Sequence, residues 1–303
     1  MPEVDLEPET LAAIRSFRPA LRRSAPALRR ELPWLGHGDP WAIFVSEVML
    51  QQTSTSRVVE PWARFVATFP TPASCARAPL ADVLRLWKGL GYPRRAKALR
   101  DAAQVMVEEF DGDVPSTPED LRRLPGVGPY TANAVASFAF HRRVAVLDTN
   151  VGRVLARAVA NRPLGTSQAQ HLADTLAPRR DVAAFNQAML DLGAQHCTKR
   201  PRCATCPLQR QCRWRREGGP DPAPNSAGVS RPQSPFAGSD RQVRGRILSA
   251  LGEGPVSRRA LDRQLGDVEA PRRAALLGKL VDEGLVSAGA QWVALNGDGA
   301  ARH

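Results

Sequence analysis

The sequence predicts a mainly α protein that carries a small separate module at its C-terminal end. From about residue 5 to residue 216, apolar residues recur at intervals of three and four, and turn signals separate the segments. That region lacks the sustained apolar–polar alternation that indicates strands. Residues 217–238 are rich in Pro, Gly and Ser and lack periodicity, which is typical of a linker. The length of 303 residues suits about two domains.

Composition and charge narrow the class of partner. Apolar residues make up 43% and charged residues 24% of the chain, as in ordinary globular proteins. No apolar run is long enough to span a membrane, and the acidic start MPEVDLEPET argues against a secretory signal. The formal net charge of +12 favours a polyanionic partner, nucleic acid before a membrane surface. The alternative is an Arg-rich surface that is merely well solvated.

The segment DPWAIFVSEVMLQQT predicts an apolar helix that contains one acid. Asp39 is expected to cap this helix, with Pro40 at its first position. Glu47 interrupts the apolar run, and an acid on such a helix is rarely buried without a partner or a purpose. Apolar neighbours would raise its pKa, so that it could hold a proton near neutral pH.

The segment LRRLPGVGPYTANAVASFAF predicts two helices joined by a glycine turn. Gly126 and Gly128 are expected to adopt backbone angles closed to other residues, and Pro129 to begin the second helix. Such a turn directs free backbone N–H groups outward at a helix N-terminus, which is an anion site. In a basic protein this pattern indicates a helix-hairpin-helix that binds DNA phosphate through residues 126–128 without distinguishing base sequence.

A second carboxylate, Asp148, follows the apolar stretch VAVL and precedes a helix that starts near Asn150. The simplest role for Asp148 is that of an N-cap. A capping carboxylate accepts backbone N–H groups, which favours a low pKa and an ionised side chain. The same properties suit a carboxylate that faces a developing positive charge.

The segment CTKRPRCATCPLQRQC predicts a metal centre. Its cysteine gaps of five, two and five residues are too dense for four unrelated core cysteines, and a cytosolic protein seldom carries disulfides. Zinc usually takes two separated C-x-x-C pairs, whereas one such pair with two flanking cysteines suits an iron–sulfur cluster. Residues 197–216 hold seven Lys or Arg and no acid, which suits phosphate binding; the alternative is a solvated loop. The candidate ligands are Cys197, Cys203, Cys206 and Cys212.

The C-terminal residues 239–303 predict a small winged-helix-like module. Three amphipathic stretches, DRQVRGRILSAL, SRRALDRQL and APRRAALLGKLVDEGLV, indicate helices, and LVSAGAQWVAL indicates a short hairpin. Residues 240–302 contain 10 Lys or Arg against 8 Asp or Glu, so charge does not mark the module as a second DNA-binding unit.

Six motifs together resemble the MutY-type adenine DNA glycosylases of the endonuclease III superfamily. They are LPW (32–34), SEVMLQQT (46–53), GLGY (89–92), LPGVGPYTA (124–132), LDTNVGRVLAR (147–157) and FNQAMLDLGAQHCT (185–198). The resemblance covers residues 30–213. It implies a two-lobed helix-hairpin-helix glycosylase fold, with a six-helix barrel in 30–140 and an iron–sulfur lobe formed by 1–29 and 141–216. A linker at 217–238 and the module at 239–303 would follow.

The resemblance implies a substrate and two catalytic carboxylates. The family acts on adenine mispaired with 8-oxoguanine or guanine in double-stranded DNA, and flips the adenine out of the duplex. Glu47 would protonate the adenine and help deliver water, and Asp148 would stabilise the oxocarbenium-like sugar. Tyr130 and Asn150 would support them. This is the division of labour of two-carboxylate glycoside hydrolysis.

The same motifs imply the residues that hold the DNA and the cofactor. Gln51, Gln52 and Tyr92 match a wedge that enters the base stack, and the Gly126–Val127–Gly128 turn matches the phosphate grip. Trp34 and Gln187 match positions that line the adenine pocket. The simpler alternatives are that Trp34 is only core, that Tyr92 packs a turn and that Gln187 bonds a helix end. The four cysteines would hold a 4Fe–4S cluster.

Tyr130 also bears on the reaction type. The endonuclease III branch carries a catalytic lysine at this position, and without an amine no strong lyase activity is expected. The resemblance implies a monofunctional adenine-specific DNA N-glycosylase, a monomer without membrane association, in the bacterial cytoplasm at the nucleoid. The alternatives are a thymine or other mismatch glycosylase of the same superfamily, or a noncatalytic iron–sulfur DNA-binding regulator.

Three features depart from the family pattern. The first cysteine gap is five residues rather than the usual six, and Pro93 stands where a second tyrosine is common. The family often ends in a larger domain, related to Nudix hydrolases, that recognises 8-oxoguanine. The residues after the linker do not resemble that domain, so the preference for 8-oxoguanine over guanine is the least supported expectation.

Overall fold

The computed structural model describes residues 6–226 and 235–298 and is mainly α-helical, as predicted. Residues 227–234, part of the predicted linker, lie outside the described residues, as do both chain ends. Among the described residues, no helix is long and apolar enough to cross a membrane. The α-helices are α1 (Pro8–Leu28), α2 (Pro40–Leu50), α3 (Thr55–Thr68), α4 (Pro72–Arg77), α5 (Leu80–Leu86), α6 (Arg94–Glu109), α7 (Pro118–Leu121), α8 (Pro129–Phe140), α9 (Thr149–Val154), α10 (Thr166–Leu176), α11 (Val182–Gln195), α12 (Arg213–Glu217), α13 (Asp240–Ala250), α14 (Arg258–Gln264) and α15 (Ala270–Asp282).

The chain forms two compact units. The first unit comprises 1–38, 116–119 and 128–232, and the second comprises 39–115, 120–127 and 233–303. In the first unit, the apolar faces of α1, α9, α10 and α11 share one core that includes Phe17, Leu155 and Leu172. A π-helical turn, Leu155–Ala160, continues α9. The domain boundaries expected from the sequence stay a prediction.

The second unit is built around α2. Residues 41–49 of this helix are all buried, as its nearly unbroken apolar sequence requires. The predicted cap is confirmed, because the Asp39 side chain accepts from the Trp41 N–H at 2.9 Å and Pro40 is the first helical residue. The buried indole of Trp62 donates to the Ala42 carbonyl at 2.8 Å. Each large side chain buried here contributes roughly 1.5–3 kcal/mol, so packing rather than capping fixes the helix.

The C-terminal module also belongs to the second unit. Its elements follow the order α13, β1 (Val256–Ser257), α14, α15, β2 (Val286–Ala288) and β3 (Trp292–Leu295). The sheet order is β1-β3-β2 and both pairings are antiparallel, with Val286 opposite Leu295. This is the order of a winged helix, so the three helices and the hairpin are where the sequence predicts them. Strand β1 was not expected, because a two-residue strand leaves no periodicity to detect.

Candidate functional site

Glu47 lies on the buried helix α2, and its residue is 5% exposed. Its neighbours Ser46 and Val48 are buried as well, and the Ser46 hydroxyl is used locally, donating to the Ile43 carbonyl at 2.7 Å. A carboxylate that served only solubility would lie on an exposed face. The position therefore suits an acid that acts on something brought to it.

The end of α2 brings Gln51 to the glycine turn. The Gln51 side-chain amide donates to the Gly126 carbonyl at 3.2 Å. The next residue, Gln52, has a left-handed backbone with φ of 56°, and Tyr92 has one with φ of 48°. Left-handed backbone costs a non-glycine residue about 1–2 kcal/mol, and such strain persists where the surroundings hold it. Two of the predicted wedge residues therefore stand on strained turns.

Arg95, which the sequence analysis missed, joins those two turns. Its guanidinium lies over the rings of Trp87 at 5.3 Å and Tyr92 at 5.6 Å, and burial lowers its pKa to about 10. Nothing in the string GLGYPRR distinguishes this arginine from Arg94 before it, because three of its five acceptor residues, Val48, Met49 and Thr53, lie far away in the chain. It donates at 2.8–3.1 Å to oxygen atoms of Val48, Met49, Thr53, Leu90 and Gly91.

The glycine turn is formed as predicted, with one correction. Gly126 has φ of 76°, and a Cβ added there would lie 2.7 Å from the Ala98 Cβ, so both conformation and space require glycine. Gly128 has an ordinary φ of −90° and open space around it, so the expectation that it needs special backbone angles is wrong. Its extended backbone is the one favoured before Pro129, which begins α8.

Asp148 is the N-cap of α9. One carboxylate oxygen accepts from the Val151 N–H and the other from the Asn150 side-chain amide, both at 2.7 Å. Burial nevertheless raises the pKa of the Asp148 carboxyl, although these hydrogen bonds and the charge of Arg153 act to lower it. The sequence-based expectation of a low pKa is therefore wrong, because it counted the cap and omitted the desolvation.

Arg153 connects the Asp148 cap to residues 197–216, which hold the four cysteines and are called the cysteine segment below. Its guanidinium donates to the Asn150 side-chain oxygen at 2.7 Å and to the Cys197 carbonyl at 2.7 Å. A third bond reaches the Gly193 carbonyl at 3.1 Å. The order Asp148, Asn150, Arg153, Cys197 is thus a continuous run of hydrogen-bonded groups.

Gly193 sets the distance between α9 and α11. A Cβ added to Gly193 would lie 2.6 Å from the Asn150 Cβ and 2.7 Å from the Asn150 carbonyl oxygen. Real side chains do not approach backbone that closely, so any other residue here displaces Asn150. The glycine of LGAQHC was noted in the sequence only as part of a motif.

Gly193→Ala is expected to lower the base excision that the motifs predict at least tenfold, because it moves Asn150 away from Asp148, the predicted catalytic carboxylate, and small displacements at a reacting centre cost up to about 10²-fold. It should also reduce the free energy of unfolding by about 1–3 kcal/mol through overpacking. Single-turnover excision and urea unfolding measure the two effects. The matched control is Gly278→Ala on α15, where nothing lies within 4 Å and stability should rise slightly. Equal behaviour of the two variants would contradict the role given to Gly193.

The four cysteines line one pocket in the first unit. Burial, together with the charges of the other three thiols, raises the pKa of Cys212 to about 11. Among the described residues, however, no group of three or more His, Cys, Asp or Glu side chains is arranged to coordinate a metal ion. The pocket wall is largely apolar and includes Phe17, Val154, Leu208 and Trp214.

Arg157 lies beside this pocket and is 1% exposed. It donates to the Cys197 thiol at 3.4 Å and to the Thr198 carbonyl at 2.7 Å. Its charge is paired with both oxygens of Asp221 at 2.8 and 2.6 Å. Five residues further along, the buried Ser226 hydroxyl accepts from the Leu164 N–H, so the start of the predicted linker packs against the first unit.

Most of the basic side chains of the cysteine segment lie on the protein surface. Six of its seven Lys and Arg residues are exposed. Arg213 differs, because it donates to the carbonyls of Val159 and Ala160 and pairs with Glu217 at 3.0 Å. Six of the seven basic side chains, rather than all seven, are therefore available to bind phosphate.

The remaining predicted site residues have these positions. Trp34 is 4% exposed, which fits a core role as well as a pocket role. The Gln187 side-chain amide donates at 2.8 Å to Asp191, which also pairs with Arg30 at 2.5 Å. Tyr130 is the second residue of α8 and is half-buried. The functions assigned to all three stay predictions.

The helical fold, the glycine turn and the capped aspartate before a cysteine pocket define a helix-hairpin-helix protein of base excision repair. In agreement, the HhH-GPD superfamily of base excision DNA repair proteins matches residues 45–178. The adenine DNA glycosylase of Mycolicibacterium smegmatis is 46% identical over 250 residues, which cover 80% of this chain and 83% of that protein. The chain belongs to the adenine DNA glycosylase family of this superfamily.

Solved structures support the fold. A thermostable thymine-DNA glycosylase matches with a TM-score of 0.63 and 27% identity over 69% of this chain and 99% of its own. A trapped endonuclease III–DNA covalent intermediate matches with a TM-score of 0.60 and 25% identity over 67% of this chain and 97% of its own. The predicted helix-hairpin-helix glycosylase fold is confirmed.

Proposed function

We propose that this DNA glycosylase removes adenine mispaired with 8-oxoguanine or guanine from double-stranded DNA. The observation that carries the proposal is the buried Glu47 on α2, whose C-terminal end bonds the glycine turn through Gln51. The high identity to an adenine DNA glycosylase supports adenine as the base released. The structural likeness to an endonuclease III–DNA complex supports DNA as the partner.

The proposed reaction is hydrolysis of the N-glycosidic bond. Glu47 donates a proton to N7 of the flipped adenine, and the bond between C1′ and N9 breaks with its electron pair moving to the base. Ionised Asp148 stabilises the positive charge that develops on the sugar, and water then adds to C1′. Asn150 holds Asp148 through their hydrogen bond. Tyr130 supports these carboxylates and, having no amine, forms no Schiff base with the sugar.

The proposed substrate contacts follow the motifs. Gln51, Gln52 and Tyr92 fill the base stack that the adenine leaves, while Trp34 and Gln187 contact the adenine. The turn at residues 126–128 donates the backbone N–H groups of its two glycines to phosphate, because the Val127 N–H already donates to the Leu124 carbonyl at 3.2 Å. We expect the enzyme to act as a monomer in the bacterial cytoplasm, on nucleoid DNA.

We propose that the four cysteines hold a 4Fe–4S cluster that fixes the fold of the basic segment. Their shared apolar pocket fits such a group, and one C-x-x-C pair with two flanking cysteines suits an iron–sulfur cluster better than zinc. The cluster would supply four metal–sulfur bonds that hold the segment. Arg157 stabilises the Cys197 thiolate electrostatically, and the exposed basic residues bind phosphate.

The purified protein is expected to be brown, with about four iron atoms per chain and matching sulfide. Cys203→Ser should lose the visible absorption, whereas Cys75→Ala should keep it, because Cys75 is buried apart from the pocket. Visible spectroscopy with iron analysis measures this. A colourless, zinc-loaded protein would contradict the cluster.

Excision should decline on the acidic side as Asp148 takes up a proton. Because burial raises the pKa of Asp148, this decline should lie at higher pH than for an ordinary aspartate. A raised carboxyl pKa in the folded state also means that ionisation opposes folding, so this contribution to stability is lost as pH rises. Single-turnover rates across pH test the first effect. Retention of the same acidic decline in Asp148→Asn would assign it elsewhere.

One assay tests the proposed function against its alternatives. Duplexes with adenine opposite 8-oxoguanine, adenine opposite guanine, and thymine opposite guanine are incubated with the enzyme and then treated with alkali. Strand cleavage only at adenine supports the proposal, and cleavage only at thymine supports the thymine glycosylase alternative. No cleavage anywhere supports a noncatalytic regulator. Cleavage without alkali would reveal lyase activity and contradict the role of Tyr130.

A further inference from the structure

The C-terminal module is fixed to helices α5 and α6 of the same compact unit. Arg85 on α5 donates to the Asp298 carboxylate at 2.6 Å and to the Gly252 carbonyl at 2.8 Å. Glu283, at the end of α15, pairs with Arg94 on α6 at 3.0 Å and with both terminal nitrogens of Arg244 on α13. These contacts hold α13 in one place relative to the Gly89–Tyr92 turn.

The backbones also approach closely on this face. A Cβ added to Gly297 would lie 3.0 Å from the Leu80 backbone nitrogen, and one added to Gly284 would lie 3.4 Å from the Lys97 side chain. Such close approach leaves the C-terminal module little freedom to move relative to α5 and α6. Helix α13 therefore has a defined position relative to α5 and α6.

The helix that a winged helix would place in a DNA groove is α15, and its arginines are engaged within the module. Arg272 donates to Asp240 at 2.7 Å and to the Gly238 carbonyl at 2.7 Å. Arg273 donates to Asp262 at 3.0 Å and to the Val268 carbonyl. The hairpin turn at residues 289–291 carries no Lys or Arg. The module's own charges thus do not favour groove binding by α15.

The guanidinium of Arg241 instead contacts Tyr92, one of the residues of the predicted DNA wedge. As the second residue of α13, it donates to the Tyr92 hydroxyl at 3.1 Å. The ring of Tyr92 lies under the Arg95 guanidinium, and its backbone is left-handed. One arginine from the barrel helices and one from the C-terminal module therefore hold the same tyrosine, at its face and at its hydroxyl.

We propose that Arg241 is a positioning residue for Tyr92, through which the C-terminal module sets how strongly the enzyme distinguishes a mispair from a matched duplex. The inference rests on the proposed function, because it takes Tyr92 as the wedge. An aromatic wedge that is held in place before DNA arrives loses little side-chain entropy on insertion. A hydrogen bond from a charged donor is strong enough to hold it.

A double-mutant cycle on Arg241 and Tyr92 tests the proposal in the full chain. Arg241→Met keeps the side-chain length and removes the donors, Arg241→Lys keeps one donor, and Tyr92→Phe removes the acceptor. The readout is the ratio of Kd values for a matched duplex and for one with a noncleavable 2′-fluoro adenosine opposite 8-oxoguanine. The fluorescence of 2-aminopurine at the adenine position reports flipping separately.

We expect Arg241→Met to lower this ratio about tenfold, Arg241→Lys to restore part of it, and the double variant to be no worse than either single change. Arg259→Met removes an exposed cation from α14 of the same module, so it should weaken both duplexes equally and leave the ratio unchanged. Additive effects, or loss of affinity for both duplexes alike in Arg241→Met, would overturn the proposal.

The outcomes separate this inference from the proposed function. If the wild type releases adenine but the cycle is additive, only the inference fails. If the cycle shows coupling on mispaired DNA but no adenine is released, the proposed function fails and the positioning role stands. Thermal unfolding of each variant shows whether the module stays folded, and rescue by Arg241→Lys excludes a purely structural loss.

Discussion

Glu47→Gln is expected to abolish adenine release while mispair binding stays within a few-fold of wild type. Glutamine keeps the shape of the buried side chain on α2 and removes the proton that the adenine needs to leave. General acid catalysis contributes about 10²–10⁴-fold, and the proposed role of Glu47 in delivering water adds to that. Single-turnover excision and Kd for the same duplex measure the two quantities separately.

The matched control is Glu60→Gln on α3, which makes the same chemical change at a side chain that is 80% exposed. It should excise adenine at the wild-type rate. Wild-type-like activity in Glu47→Gln would remove Glu47 from the role of acid. Joint loss of binding and excision would instead show that Glu47 is needed for the local fold.

Arg95→Met is expected to reduce the free energy of unfolding by about 3 kcal/mol or more. The change removes the donors to the Val48 and Met49 carbonyls at the end of α2, and each buried acceptor left alone costs roughly 1–3 kcal/mol. Tyr92 also loses the cation over its ring. Urea unfolding measures the stability, and 2-aminopurine fluorescence measures whether the folded fraction still flips its base.

Arg64→Met gives the comparison for this prediction. Arg64 on α3 is 57% exposed and pairs with Glu60 one turn away, so its loss should cost no more than about 1 kcal/mol. If Arg95→Met lowered the free energy of unfolding no more than Arg64→Met, the Arg95 guanidinium would not be the group that joins the end of α2 to the Gly89–Tyr92 turn.

Local sequence predicted the elements that depend on local interactions. Asp39 caps α2, Pro129 begins α8 and the hairpin of the C-terminal module forms in the expected place, because each depends on residues a few positions apart. The chemical roles of the site residues came from motif resemblance rather than from any single spacing.

The features that sequence could not predict depend on groups far apart in the chain. The need for glycine at position 193 comes from Asn150 across a helix pair, and the importance of Arg95 comes from carbonyls at the end of α2. The pKa of Asp148 was misjudged for the same reason, since desolvation is set by the whole fold. Arg213 turned inward because carbonyls at the end of the π-helical turn accept from it.

The pairing of Arg157 with Asp221 determines how far past α12 the chain must extend to complete the first unit. A chain that ended after α12 would leave Arg157 buried without its carboxylate beside a cysteine thiol, and an uncompensated buried charge costs about 3–5 kcal/mol. A chain that extended through Ser226 would keep both the carboxylate and the hydroxyl that accepts from Leu164. The first unit therefore uses residues 217–226, the first ten residues of what composition alone marks as linker.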